Sequence, residues 1–222
     1  LGKNNHESKL KLKATPEDED FRGKYESGKI GDRLLDKYFD AVKKLVEITD
    51  VTSEKAKAIE IGCGEGLSTK RLSNFMPKNV TLEASEYVEH QIPFAKQNTG
   101  LKVTQESVYE LKHKDKTFDM VFLLEVLEHL DYPDKGLEEL KRVTKDKGYI
   151  IIGVPNEPLW RALNMARGKY LREFGNTTGH LNHWSTAGLI KFVEKHFGPV
   201  VAKKTPLPWT IVLAKKDEKT NS

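Results

Sequence analysis

Between Ile30 and Val46 apolar residues return at helical spacing (Ile30, Leu34, Leu35, Tyr38, Phe39, Val42, Leu45, Val46), which predicts an amphipathic helix ending near Thr49. Such a helix packs on a sheet or covers the mouth of a site, and one helix can do both. After it, short apolar runs alternate with helical stretches. Ala56–Ile61, Val80–Ala84, Lys102–Gln105, Phe118–Leu124 and Gly148–Val154 read as strands. Leu67–Phe75, Glu86–Asn98 and a segment opened by Asp131 and Pro133 read as the helices between them, with Asp131 as cap. Phe118–Leu124 is almost continuously apolar, as a parallel strand covered on both faces should be. The alternation predicts a parallel sheet with right-handed crossovers.

The rhythm breaks after the fifth strand. Pro155 to Asn182 reads as an insertion with one helix over Leu159–Arg167. Ser185–His196 is a further helix, capped by Ser185 or Thr186. Val200–Lys204 and Thr210–Lys215 then form two strands around Pro206-Leu207-Pro208, ending antiparallel. Residues 1–25, rich in lysine and acid and without apolar period, read as a flexible extension. The expected division is therefore an extension over 1–25, a domain over 26–216 with a lid-like insertion near 155–182, and a polar tail over 217–222.

The chemistry gathers at the strand ends. Glu60-Ile61-Gly62-Cys63-Gly64-Glu65-Gly66 joins strand one to the next helix. Its glycines permit positive φ and close approach of a ligand, and the helix beyond offers free N–H groups and a positive dipole end. The spacing is GxGxG; Leu67 stands where the third glycine of a dinucleotide GxGxxG would fall. Glu83, 21 positions after Gly62 and followed by Ala84, reads as the acid ending strand two, able to accept both ribose hydroxyls. Glu106-Ser107-Val108-Tyr109 is a polar stretch after strand three. Phe118-Asp119-Met120-Val121 leads into Glu125-Val126-Leu127-Glu128-His129-Leu130.

This order of features resembles the class I S-adenosylmethionine-dependent methyltransferases over residues 56–154, and in character their ubiquinone-biosynthesis O-methyltransferase group. The resemblance implies a Rossmann-like three-layer α/β sandwich with a seven-stranded, mostly parallel sheet whose last strand is antiparallel. It implies S-adenosyl-L-methionine as cofactor. Glu60, Gly62, Cys63, Gly64 and Gly66 would line its amino-acid part, with Glu125 close by. Glu83 and Ala84 would meet the ribose, and Ser107 and Val108 would flank the adenine. Many relatives carry Asp where this chain has Ser107; here Ser107 or Glu106 would accept the adenine amino group.

Methyl transfer is an in-line displacement, so the protein aligns the acceptor, excludes water and, for a hydroxyl, removes a proton. His129, His183 and His180 are the candidate bases, in that order, because imidazole titrates near neutrality. Glu125, Glu128 and His129, with His180 or His183, also resemble the metal site of the small-RNA 3′-terminal ribose methyltransferases. Leu-Glu-His occurs in metal-free relatives too, and the expectation here is no metal.

The 222 residues carry 32% charged side chains and a formal net charge of +4, too mild an excess to argue for nucleic acid. One cysteine, Cys63, excludes an internal disulfide and fits a reducing, cytoplasmic setting. No signal-peptide pattern is visible, and no apolar run reaches the ~18–20 residues of a spanning helix. Residues 158–172 mix Trp160, Leu163, Met165, Tyr170 and Leu171 with Arg161, Arg167, Lys169 and Arg172. That mixture suits a lid over a small acceptor or contact with an anionic membrane carrying a lipid-like one. The leading expectation is O-methylation of a small molecule. The alternatives are a metal-dependent RNA ribose methyltransferase and a non-catalytic cofactor-binding protein; the glycine spacing disfavours an NAD-linked oxidoreductase.

Overall fold

The computed structural model describes residues 28–177 and 179–218, together with Leu10 and Leu12. The rest of the expected N-terminal extension lies outside the described residues. Seven strands form one sheet: β1 (Ala56–Ile61), β2 (Val80–Glu86), β3 (Val103–Gln105), β4 (Phe118–Leu124), β5 (Thr144–Pro155), β6 (Val200–Lys204) and β7 (Trp209–Lys215). Their order is β3-β2-β1-β4-β5-β7-β6. β1 pairs parallel with β2 and β4, and β4 parallel with β5. β7 runs antiparallel to both β5 and β6. Strand order therefore reverses between β1 and β4, the place where open α/β sheets leave a crevice beyond the carboxyl ends.

Helices cover both faces: α1 (Gly28–Val46), α2 (Leu67–Ser73), α3 (Ile92–Thr99), α4 (Pro133–Val143), α5 (Glu157–Ala166) and α6 (Thr186–His196). Alternate residues of each strand serve opposite faces. Val121, Leu123, Ile150, Ile152 and Val212 pack against Leu137, Leu140 and Val143 of α4, Leu189 and Val193 of α6, and Phe197 just beyond α6. Met120, Phe122, Ile151, Ile211 and Leu213 pack against Leu35, Tyr38, Phe39, Val42 and Leu45 of α1. Each such large side chain contributes roughly 1.5–3 kcal/mol of burial. Gly153 decides how closely α1 sits, because a Cβ there would lie 2.1 Å from the Tyr38 hydroxyl oxygen.

Three local differences from the sequence expectation have physical causes. β2 continues to Glu86, because Ser85 and Glu86 pair with Thr104 and Gln105 of β3. β5 begins at Thr144 rather than Gly148, opposite Phe118. Tyr132 rather than Asp131 occupies the cap position of α4, with no side-chain cap bond, and Pro133 opens the helix. α6 begins as expected, the Ser185 hydroxyl accepting from the Gly188 amide. Among the described residues no helix is long and apolar enough to cross a membrane.

Candidate active site

The β1–α2 turn bends through three left-handed glycines, with φ of 74° at Gly62, 54° at Gly64 and 82° at Gly66. The amides of Gly62 and Cys63 donate to the Ser85 carbonyl at 2.9 and 3.0 Å. The Gly64 amide donates to Glu86 Oε2 at 2.7 Å, and the Val88 amide to Glu86 Oε1 at 2.8 Å. A Cβ on Gly62 would stand 2.6 Å from Val126 Cγ2, so the turn presses directly on the exit of β4. Glu60 is fully buried beneath it and accepts from the Thr69 hydroxyl of α2. Burial pushes its carboxyl up to about 7, against the opposing pull of the Thr69 and Ser68 hydroxyls. Burial, with Glu60 and Glu86 nearby, holds the Cys63 thiol protonated far above its usual range.

Glu83 does not reach the end of β2. It lies opposite Ile59 in the β1 register, and its carboxylate binds Lys102 Nζ at 2.8 Å. The acid at the strand end is Glu86, which the sequence reading missed. β2 runs three residues past Glu83, to Glu86, where it pairs with Gln105 of β3. Ala84 is core, packed with Cys63, Ile92, Ala95 and Val103. Ser107 bridges to Glu110 and accepts the Tyr109 amide at 3.3 Å. Val108 is buried against Leu111 and Leu130. Glu106 is the more available acceptor in that stretch: it is buried, Oε1 lies 3.3 Å from His113 Nε2, and Oε2 has no hydrogen-bond partner.

On the other side of the crevice β4 ends in Glu125, a left-handed residue (φ 58°) whose amide donates to the Gly153 carbonyl. Glu125 Oε2 accepts from Trp209 Nε1 at 3.0 Å, which holds it toward β7. The following 3₁₀ turn, Leu127–His129, carries a fully buried Glu128. His129 Nδ1 lies 3.0 Å from the Gly179 carbonyl oxygen, which can only accept, so Nδ1 is the protonated nitrogen. His180 is brought against it, the two rings nearly perpendicular with centroids 5.0 Å apart. His180 Nδ1 lies 2.5 Å from Glu157 Oε1. His183 is exposed on the loop beyond.

Backbone bonds fasten this loop in place. The Leu181 and Asn182 amides donate to the Glu128 carbonyl, and Asn182 Nδ2 donates to the Leu130 carbonyl at 2.7 Å. The insertion between β5 and that loop consists of α5 and a 3₁₀ turn at Leu171–Glu173. Leu163, Met165, Tyr170, Leu171 and Phe174 are exposed along it. Glu157 was absent from the sequence expectations, since no spacing rule links it to a histidine 23 residues on.

This architecture, a parallel sheet with one reversed strand and a glycine turn at its switch point, is that of the class I methyltransferase fold. Residues 59–152 match the family model described as a methyltransferase domain. An uncharacterized protein of Methanocaldococcus jannaschii is 32% identical over 123 residues, 54% of this chain and 56% of that protein. The mitochondrial ubiquinone biosynthesis O-methyltransferase of Dictyostelium discoideum is 29% identical over 159 residues, 65% of this chain and 49% of that enzyme. The chain thus spans about half the length of these curated relatives. Among solved structures, a Thermotoga maritima S-adenosylmethionine-dependent methyltransferase superposes with a TM-score of 0.66 at 19% identity, covering 89% of this chain and 97% of that one. A Haloferax volcanii complex between the Trm112 methyltransferase activator and a methyltransferase also gives 0.66, at 14% identity, covering 84% of this chain and 93% of that one. The chain thus carries a methyltransferase-domain match over 59–152 within the fold that S-adenosylmethionine-dependent methyltransferases share.

Proposed function

We propose that this protein transfers the methyl group of S-adenosylmethionine to a hydroxyl oxygen of a small, partly apolar acceptor bound at the β1–β4 crevice. One observation carries the reading: His129 and His180 stand together at the exit of β4, each with Nδ1 facing an acceptor oxygen, which sets both rings in the tautomer whose Nε2 is the basic nitrogen. Those nitrogens are suited to taking the hydroxyl proton. The oxygen then attacks the sulfonium methyl carbon in line, an O–C bond forms, the C–S bond breaks, and S-adenosylhomocysteine leaves uncharged at sulfur. Similarity to ubiquinone biosynthesis O-methyltransferases supports the same direction.

The same reading gives the residues around the turn their cofactor roles. Glu60 and the backbone of Gly62 and Gly64 take the amino-acid part. Glu86, in place of Glu83, meets the ribose, and Glu106 or Ser107 accepts the adenine amino group beside Val108. The exposed apolar side chains of the insertion, with Arg161, Arg167, Lys169 and Arg172 among them, suit a lipid-like acceptor delivered from an anionic membrane surface.

The test is calorimetric titration with S-adenosylmethionine and S-adenosylhomocysteine, with NAD as control, followed by a screen of phenols and lipid quinone precursors. Saturable binding of the first two and a methylated phenol in the mass spectrum are the expected results. Binding without turnover on any hydroxyl compound, alongside transfer to an amine or to RNA, would overturn the O-methylation reading. His129→Ala should lower turnover about 10²- to 10⁴-fold and leave cofactor affinity nearly intact.

A further inference from the structure

We infer that Glu157 is a positioning residue for the transfer, acting through His180: it fixes that ring in one tautomer and favours the imidazolium that forms when the hydroxyl proton arrives. The role rests on the O-methylation reading. Both side chains are sealed in the protein, that of His180 1% and that of Glu157 2% exposed. His180 Nδ1 and Glu157 Oε1 lie 2.5 Å apart. A carboxylate only accepts, so the proton sits on Nδ1 and the lone pair on Nε2. Among the described residues neither that Nε2 nor the second carboxylate oxygen has a hydrogen-bond partner.

The pair is held from both ends. Glu157 opens α5, where its amide donates to the Trp184 carbonyl at 3.1 Å, and the Asn156 amide before it donates to the Pro208 carbonyl at 2.9 Å. The His180 amide donates to the Thr177 carbonyl at 3.2 Å, and the Leu181 amide after it to the Glu128 carbonyl at 2.9 Å. Backbone bonds on both sides thus set the distance between carboxylate and ring. A plain staple of the insertion would need no charge, and neutral bonds already supply one. Asn164 Nδ2 reaches the Gly175 carbonyl and Thr177 Oγ1, and Trp160 Nε1 reaches the same hydroxyl. A buried charged pair adds little net stability to such fastening. Buried polar atoms are almost always hydrogen-bonded, so an unpartnered basic nitrogen beside the β4 exit is better explained by chemistry than by packing.

When Nε2 takes the hydroxyl proton, the oxygen bonds to the methyl carbon and the C–S bond breaks. The positive charge thereby passes from sulfur to the imidazole. The Glu157 carboxylate stays unprotonated and stabilises that charge, since an opposite charge within about 4–6 Å favours the protonated ring. The proton then leaves to water when the product departs. A neutral amide in place of Glu157 accepts from a protonated Nδ1 or donates to a bare one, so it permits either tautomer. Glu157 and His180 also bracket the insertion, so the base is complete only when the insertion is folded down.

The experiment compares wild type, Glu157→Gln and Glu157→Leu in the full chain, with S-adenosylmethionine and with phenol and catechol as acceptors. Imidazole nitrogen NMR of the wild type should show a bare Nε2 that disappears in His180→Ala. In Glu157→Gln part of that signal should move to the tautomer protonated at Nε2. Its kcat should fall about 10²- to 10⁴-fold, with acceptor KM, S-adenosylhomocysteine affinity and hydrogen exchange over residues 157–182 held within about threefold. Glu157→Leu breaks the bond outright and should speed that exchange as well. A folded Glu157→Gln with full kcat overturns the positioning role and leaves the O-methylation reading standing. A fall in kcat that only tracks faster exchange over 157–182 overturns it too, marking Glu157 as a staple. Transfer to amines or RNA and to no hydroxyl compound overturns the O-methylation reading, and the role with it.

Discussion

The Gly64 amide and the Glu86 carboxylate meet at 2.7 Å beyond the carboxyl ends of β1 and β2. One oxygen of the acid holds the glycine turn and the other holds the Val88 amide. Glu86 is thus part of the turn's own framework as well as the acid proposed to meet the ribose. Losing charge-assisted bonds of this kind costs about 1.5–3 kcal/mol. Glu86→Gln is expected to weaken S-adenosylhomocysteine binding about 10- to 100-fold by calorimetry. Glu83→Gln, which removes only a surface ion pair with Lys102, should change it less than about threefold. Equal losses in the two variants would return the ribose to Glu83.

Gly62 tests how tightly the turn is pressed against β4. Its φ of 74° disfavours any Cβ, and the added atom would meet Val126 Cγ2 at 2.6 Å. Gly62→Ala should cost about 1–3 kcal/mol in denaturant unfolding. Adding Val126→Ala removes the clash but not the backbone strain, so the double variant should recover part of the loss. A double variant no more stable than the single one would place the whole cost in the backbone.

How much of this was legible beforehand depends on whether the signal is local. The alternation of apolar runs, the continuous Phe118–Leu124 strand and the glycine spacing are local, and they lead directly to the sheet and its switch point. The acid proposed for the ribose is not marked locally. Glu83 and Glu86 are both acids of one short strand, and only the β3 pairing of Ser85 and Glu86 decides where it ends. The Glu157–His180 pair is harder still: 23 residues of insertion fold back between them, and neither residue has a periodic neighbour that betrays the contact. His129 and His180 could be named as candidates from chemistry, but their meeting depends on the Asn182 and Leu181 bonds to the 128–130 backbone.

Glu60 gives a pH signature. Its carboxyl is raised from 4.5 to about 7, chiefly by burial. Between those values the unfolded chain releases the proton while the folded chain keeps it. The folded state is therefore penalised as pH rises, by an amount on the order of 3 kcal/mol once the pH exceeds the folded value. Glu60→Gln carries no such penalty. Relative to wild type it should gain melting temperature as pH goes from 5 to 8, while its cofactor affinity falls. A wild-type-to-Gln stability difference that does not vary with pH would mean Glu60 is ionised throughout.

Asn164 is the test of the insertion as a structural unit. It is 1% exposed on α5, and its Nδ2 donates to the Gly175 carbonyl at 3.0 Å and to Thr177 Oγ1 at 3.2 Å. Thr177 Oγ1 also accepts from Trp160 Nε1 at 2.8 Å. The returning chain lies so close that a Cβ on Gly175 would sit 2.2 Å from the Arg161 carbonyl oxygen. One buried amide therefore staples residues 175–177 to α5, just ahead of His180. Asn164→Leu keeps the apolar volume but strands the Gly175 carbonyl, at a cost of about 1–3 kcal/mol confined to the insertion. Hydrogen exchange over 157–180 should speed up about 10- to 100-fold with β1, β4 and β5 unchanged. The acceptor KM should rise while S-adenosylhomocysteine affinity holds, because the cofactor turn lies on the opposite wall of the crevice. Loss of cofactor affinity in the same proportion would show that the insertion and the glycine turn form one cooperative body, and that the insertion does not move as a separate lid.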